Sequence, residues 1–304
     1  MVLGHRFFRA IVLFMVLMSV LAVTVGCSSK NGASSGNQPM KDAPLMIKVL
    51  DVGQGDAILI RGNGQVVLID TGDVPTRDKL AACLKAEGIT TIDKLVITHP
   101  HADHLGGFAV LADQFAIKQI YDSGQTTTTA LYRQYLSAVQ KKKIPFSVVA
   151  AGEQIDLGAG ILLKVLAPGK PLLTGTDSDL NNNSIVLRLT FGKFSMLFAG
   201  DAGQPEEEQI LRKYSREIKS TVLKSGHHGS RTSSSQAFLD AVAPEAAMIS
   251  AGVNNDYHHP HPSTLKKYEK QKLAVFRTDL NGTVTIASNG ETYSVNKEKG
   301  ETAK

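Results

Sequence analysis

A chain of 304 residues with 42% apolar side chains has the hydrocarbon for one large folded domain or two small ones, which excludes disorder throughout. Its formal charge of +5 falls to about +3 once residues 1–26, which hold Arg6 and Arg9 and no acid, are set aside. That balance is too mild to argue for a polyanionic partner by itself.

The chain starts like a targeting segment. Arg6 and Arg9 precede a nearly unbroken apolar run from Ile11 to Gly26, too short for a comfortable membrane span. Thr24-Val25-Gly26-Cys27 resembles the bacterial lipobox, with Thr24 in place of the usual leucine-like residue; the resemblance implies that Cys27 carries lipid and that residues 1–27 are a lipoprotein-type signal. An uncleaved anchor helix or plain secretion are the alternatives. With Cys27 so committed, Cys83 has no partner, no disulfide framework is possible, and stability cannot rest on cross-links. Residues 28–44, rich in Ser, Gly, Asn and Lys, are expected to be a flexible tether, with a folded domain over 45–297 and a disordered tail at 298–304. The expected location is outside the cytoplasm, anchored by lipid or secreted.

From Met46 onward, short apolar runs separated by glycine turns predict strands at Met46–Val52, Ala57–Arg61 and Val66–Ile69. Helical periodicity follows at Thr76–Glu87, a buried strand at Lys94–Thr98, and helices at Gly107–Phe115, Thr129–Lys142 and Gln204–Tyr214. Further strands are predicted at Ile161–Leu166, Ser184–Thr190, Ser195–Phe198, Ser220–Lys224, Ala246–Ser250 and Ala274–Thr278, with a closing hairpin of Gly282–Ala287 and Tyr293–Asn296. Strand-rich halves interleaved with helices predict an α/β fold of two sheets packed face to face with helices outside, a four-layer αβ/βα sandwich.

The chemistry is concentrated in histidine. Apart from His5, the histidines fall into three tight groups: His99, His101 and His104; His227 and His228; His258, His259 and His261. His99-Pro100-His101-Ala102-Asp103-His104 follows a predicted strand directly and places four ligand-type residues within six positions. The alternation of His99 and His101 lets both rings face one side, while Asp103 and His104 turn to a neighbouring position, the arrangement a two-metal site requires.

This H-x-H-x-D-H pattern after a strand resembles that of the metallo-β-lactamase superfamily of hydrolases. The resemblance implies that Asp70 hydrogen-bonds around the site, that Asp201 bridges two metals, and that His227 is the last ligand of the second metal. A turn-forming role for Asp70 before Gly72 is the bland alternative. Many members of that superfamily carry a further histidine between the first motif and the bridging aspartate, yet residues 105–200 contain none. The equivalent stretch is Leu180-Asn181-Asn182-Asn183-Ser184, where the amide of Asn182 or Asn183 can complete the shell, hold a water or contact substrate; an asparagine-rich turn before a strand is the other reading.

Asp51-Val52-Gly53-Gln54-Gly55-Asp56-Ala57, the asparagine stretch, Lys224-Ser225-Gly226-His227-His228-Gly229-Ser230, and Tyr257 through His259-Pro260-His261-Pro262 together resemble the hydrolase domain of the ComEC competence proteins, over about Met46 to Thr285. That implies a free-standing secreted relative of a DNA-uptake channel's soluble domain. Gly53 and Gly55 also suit a positive-φ turn and close backbone approach, with a plain hairpin turn as the alternative, and Gln54 and Asp56 are candidates for lining the site mouth. His228 and Ser230 are candidates for holding a phosphate, with His228 able to protonate the leaving oxygen; a structural role is the alternative. His259 and His261 are read as phosphate-recognising, with a third metal site or a plain surface loop as the alternatives.

Asp103, Asp201 and His228 are thus the candidate catalytic groups, and two divalent cations, zinc or else manganese, the expected cofactors. Cations about 3.5–4 Å apart across Asp201 would bring a shared water toward neutrality as a nucleophile. The expected substrate is a phosphodiester, nucleic acid first, with the membrane met through lipid and no obligate protein partner. Two other readings stay open: a hydrolase of a small or cell-wall phosphodiester such as a phosphocholine ester, and a non-catalytic surface binding protein with a structural metal site. The missing histidine sets the chain apart from enzymes that open β-lactams.

Overall fold

A computed structural model describes residue 40 and residues 42–300. Cys27 and the rest of the expected leader, together with most of the tether, lie outside them. The first half runs β1 (Leu45–Val49), β2 (Ile58–Gly62), β3 (Gln65–Ile69), α1 (Arg77–Ala86), β4 (Thr91–Ile92), β5 (Lys94–Ile97), α2 (Ala102–Leu105), α3 (Phe108–Gln114), β6 (Ala116–Ile117), β7 (Ile120–Asp122), α4 (Ala130–Lys142) and β8 (Phe146–Val148). The second runs β9 (Gln154–Gly158), β10 (Ile161–Ala167), β11 (Val186–Phe191), β12 (Phe194–Phe198), α5 (Gln204–Tyr214), β13 (Val222–Lys224), α6 (Gln236–Val242), β14 (Ala246–Ile249), α7 (Pro262–Lys270), β15 (Ala274–Arg277), α8 (Thr278–Asn281), β16 (Val284–Ser288) and β17 (Tyr293–Lys297).

The strands form an eight-stranded sheet in the order β17-β16-β1-β2-β3-β5-β7-β8 and a seven-stranded sheet in the order β15-β14-β13-β12-β11-β10-β9, with β4 and β6 as a small separate pair. Between the sheets lies an apolar layer from both, including Ile47, Ile60, Val96, Leu187 and Met196. A second apolar layer joins the larger sheet to α1, α3 and α4 through Leu80, Phe108 and Tyr135, and a third joins the smaller sheet to α5, α6 and α7 through Ile210, Phe238 and Tyr268. These three cores between four layers are the predicted αβ/βα sandwich. Each fully buried Leu, Ile or Phe contributes roughly 1.5–3 kcal/mol, so the layers outweigh any single polar contact.

What positions the site is the parallel pairing. β3 runs parallel to β5, and β12, β13 and β14 run parallel to one another. Their carboxyl ends therefore open at one rim of the sandwich, delivering Asp70 after β3, His99 after β5, Asp201 after β12 and the His227-His228 pair after β13.

The tail departs from expectation. Glu298 N donates to Thr283 O and Lys299 N to Asn281 O, just beyond the last β16–β17 pair of Val284 with Lys297. Residues 298–299 therefore belong to the domain. Cys83 is a half-buried free thiol, and among the described residues no helix is long and apolar enough to cross a membrane.

Asp122, at the end of β7, is buried, its Oδ1 accepting from Gly124 N (2.7 Å) and its Oδ2 from the Tyr135 hydroxyl (3.1 Å). Burial pushes its carboxyl from 3.8 up to about 6 against both donors. Between those values the folded chain keeps a proton that the unfolded chain has lost. The group's contribution is therefore fully present below the lower value and is lost as pH rises through the upper. The gap corresponds to about 3 kcal/mol. Asp122→Asn should raise the unfolding temperature at about pH 8 and leave it nearly unchanged at about pH 4. Thermal unfolding at both pH values checks this, and equal effects would count against a buried charge.

Candidate metal centre

Four loops converge at the rim, and their side chains are locked from behind. Asp70 has a left-handed backbone (φ 59°) that turns its carboxylate inward. Its Oδ1 accepts from Thr98 N and its Oδ2 from Thr98 Oγ1 and His104 Nδ1, each at 2.7 Å. The threonine proton is thereby used, so Thr98 Oγ1 accepts from His99 Nδ1 at 3.1 Å. On the other sheet, His228 Nδ1 donates to Ser250 O at 3.2 Å, with Asp56 Oδ1 3.4 Å away. In His99, His104 and His228 alike the Nδ1 proton is committed, which leaves the Nε2 lone pair facing the cavity.

Those lone pairs meet the fully buried Asp201. His104 Nε2 and His228 Nε2 lie 3.3 and 3.6 Å from its Oδ1, and Asp103 Oδ2 lies 3.1 Å from His228 Nε2 and 3.7 Å from His104 Nε2. His227 Nε2 and His99 Nε2 lie 3.6 and 3.8 Å from its Oδ2. His101 Nδ1 comes within 3.0 Å of His99 Nε2. Ligand atoms of Asp103, His104, Asp201 and His228 all fall within 4.8 Å of one another.

The donor set fits divalent cations. His104 Nε2, Asp201 Oδ1 and Asn181 Oδ1 are buried without hydrogen-bond partners, a state that native interiors rarely tolerate. Asp56, Asp70, Asp103 and Asp201 bring four carboxyl groups together, and Lys224 is the one buried Lys or Arg side chain among the described residues. Burial works against a charge on His104 and His228. The carboxylates outweigh it, raising His104 well above its usual value through Asp201, Asp103 and Asp70, and His228 to about 10 through Asp201, Asp103 and Asp56. Burial and the neighbouring His104 charge hold His99 well below its usual range. A region that draws protons onto two of its imidazoles has a deficit of positive charge that two cations would fill.

Placement corrects several expectations. His228 takes the position beside Asp103 and His104 that was expected of His227, while His227 falls on the Asp201 Oδ2 side with His99. The reason is local: both residues are left-handed (φ 48° and 54°), which throws their rings to opposite sides of the carboxylate. With Nδ1 tied to Ser250 and Nε2 among ligands, His228 is not placed to protonate a leaving group.

Of the asparagines, Asn181 lines the cavity beside His101 and Asp201. Asn182 is spent on Thr176, Asp177 and Gly203 N, and Asn183 on Leu173 and Asp179, and neither lines the cavity. The buried Ser230 hydroxyl pairs with Thr232 and shapes the turn through the exposed Arg231. His261 caps α7 by accepting from Ser263 N (3.2 Å), whereas His259 does line the cavity. Lys141, Lys142 and Lys143 sit exposed at the end of α4, and none lines it.

Gln54 lines the cavity as expected, but Asp56 does not reach its mouth. Asp56 Oδ2 accepts from Lys224 Nζ at 2.7 Å, both side chains fully buried, and this pair stands directly behind His228. Lys224 and His228 together outweigh the burial penalty and hold the Asp56 carboxyl well below the usual range. Gly55 explains its own identity: at φ 114° a Cβ there would fall 2.3 Å from Asp103 O, the carbonyl that accepts from Asp56 N.

The cavity these residues enclose is open to solvent, holds about 290 Å³, and is lined also by Gln54, Asp73 and Tyr257. Solved structures share the architecture at low identity. The metallo-beta-lactamase fold protein YhfI from Bacillus subtilis aligns with a TM-score of 0.51 and 13% identity over 76% of this chain and 96% of that one. CmlA, a diiron beta-hydroxylase from Streptomyces venezuelae, aligns with a TM-score of 0.53 and 15% identity over 81% and 54%. Among curated proteins the chain is 31% identical to ComE operon protein 3 of Bacillus subtilis (strain 168) over 78% of its length, and 32% identical to competence protein ComA of Neisseria gonorrhoeae, also over 78%. It spans about a third of the length of these relatives, 32% and 31% respectively. The profile of the metallo-beta-lactamase superfamily matches residues 50–253, and the chain belongs to that superfamily of metal-dependent hydrolases.

Proposed function

We propose that the chain is a phosphodiesterase that cuts nucleic acid outside the cytoplasm, using two divalent cations, zinc first and manganese second. The observation that carries the reading is the divided carboxylate of Asp201, with Oδ1 facing His104, His228 and Asp103 and Oδ2 facing His99 and His227. Bound there, cations would supply Lewis acidity and a nucleophilic water at neutral pH. The chain's own residues supply the rest. Asp70 fixes the tautomer and tilt of His104, Ser250 O and Asp56 fix those of His228, and Thr98 fixes His99. Asn181 places an amide oxygen where a histidine is absent, so the Oδ2 side is the weaker of the two half-sites.

Nucleic acid is favoured as substrate because the relatives at about 31% identity carry names tied to competence and recombination. The cavity's openness also suits a polymer passing through it. Lipid on Cys27 would hold the domain at the membrane surface, and palmitate labelling of the expressed chain, lost in Cys27→Ala, tests that attachment.

The deciding experiment offers bis-p-nitrophenyl phosphate, and then single-stranded and duplex DNA, to purified protein loaded with zinc or manganese. Turnover that EDTA abolishes and added metal restores is expected, together with a fall in DNA cleavage as salt rises. A fully metal-loaded protein that turns over none of the three would defeat the proposal.

A further inference from the structure

We infer that Tyr257 is a stacking platform for a nucleobase flanking the scissile phosphate. The inference rests on the phosphodiesterase reading and specifies how the same cavity grips its substrate.

Tyr257 sits at the cavity mouth with 66% of its surface exposed, although an aromatic side chain of that size usually buries its face. The loop that presents it is not loose. Asn255 ties both of its ends together: Nδ2 donates to Gly252 O (2.9 Å) and His259 O (2.7 Å), and Oδ1 accepts from His259 N (2.9 Å). His258 N closes a further turn on Asn255 O at 3.0 Å, and Gln54 Oε1 accepts from Gly252 N at 3.1 Å, pinning the loop to the β1–β2 turn. Asn254 and His258 are both left-handed (φ 53°), a conformation that side-chain-bearing residues adopt only at a cost. A chain that meets that cost to hold an exposed ring in place has preorganised a contact.

The ring is also aligned with the chemistry. Tyr257 lies nearly parallel to His259 (20°, centroids 5.7 Å apart), and His259 nearly parallel to the buried His228 (28°, 6.3 Å). These rings form a column from the ligand cluster to the rim, ending in an open π-face. Every nucleobase has a face that can extend such a column, and each stacked base contributes about 1–3 kcal/mol. A quaternary ammonium headgroup would need a cage of several rings, and among the described residues Tyr257 is the sole Tyr, Trp or Phe lining the cavity.

The test compares wild type, Tyr257→Ala and Tyr257→Phe, binding a single-stranded DNA oligonucleotide and an abasic oligonucleotide of the same length by fluorescence polarisation, with metal-loaded and with chelated protein. Tyr257→Ala should weaken binding of the base-bearing strand by about tenfold and raise KM with kcat little changed, and Tyr257→Phe should stay within about twofold of wild type. All three should bind the abasic strand equally weakly. Equal binding of the two strands by wild type, an unaffected Tyr257→Ala, or equal losses for Ala and Phe would each overturn the stacking role. So would a Tyr257→Ala defect confined to p-nitrophenyl phosphorylcholine. Wild-type cleavage of DNA that Tyr257→Ala leaves unaltered removes this inference alone, whereas a metal-loaded wild type that neither binds nor cuts any phosphodiester removes the functional reading as well.

Discussion

Asp201→Ala should lose at least about 10³-fold in hydrolytic rate, because both half-sites share that one carboxylate and the charge stabilisation that cations supply is worth several kcal/mol. Metal content separates this from a folding defect. With the circular dichroism spectrum retained, Asp201→Ala should bind fewer cations than wild type, while His228→Ala and His227→Ala should each retain one cation, on opposite sides of the carboxylate. The two histidines are adjacent in sequence, so loss of both cations by either single variant would show that the division between Oδ1 and Oδ2 is wrong. Retention of more than about a tenth of the rate by Asp201→Ala, with a full metal complement, would remove the two-cation mechanism altogether.

The second large effect is expected behind the ligands. Asp56 and Lys224 are 168 positions apart and wholly buried, so deleting one charge strands the other. Breaking such a pair costs about 3–5 kcal/mol, and Lys224→Met alone should lower the unfolding temperature by about 10 °C. Adding Asp56→Asn should recover most of that loss, since removing both charges of a buried pair is often close to neutral. Metal affinity should not recover with it. His228 would still lack the carboxylate beside Nδ1, and loss of such an outer partner weakens binding by about 10–100-fold. Calorimetry of the single and double variants, paired with zinc titration, distinguishes the two roles; full recovery of both stability and affinity would mean the pair only fills space.

How much of this could be read from the chain follows from where the signals were local. Strands β3, β5, β12 and β13 were visible as apolar runs ending in ligand-type residues, and the spacing from His99 to His104 carried the metal. The short strands β7 and β8 were missed because three residues give too little alternation to register, and β8 exposes Phe146 and Val148. Helices α6 and α7 were passed over beside the histidine clusters that flank them. Among three consecutive asparagines, a 3₁₀ turn swings each successive side chain by about a third of a revolution, so only the backbone decides that Asn181 faces inward. The exchange of His227 and His228 has the same origin, since two successive left-handed non-glycine residues have no sequence signature. The Asp56–Lys224 pair was invisible because nothing along the chain links partners so far apart.

The larger sheet brings Asp70, His99, His101, Asp103 and His104 to the centre, and the smaller brings Asp201, His227 and His228. Each half alone offers an incomplete set of donors, so cations bound there would act as a rivet across the seam between the two. A fragment that ends, or a chain that is nicked and parted, anywhere from Leu105 to Gly200 keeps one set of donors without the other. On the proposed reading, activity would report on the closure of the entire sandwich, and partial products of synthesis or proteolysis should be inactive.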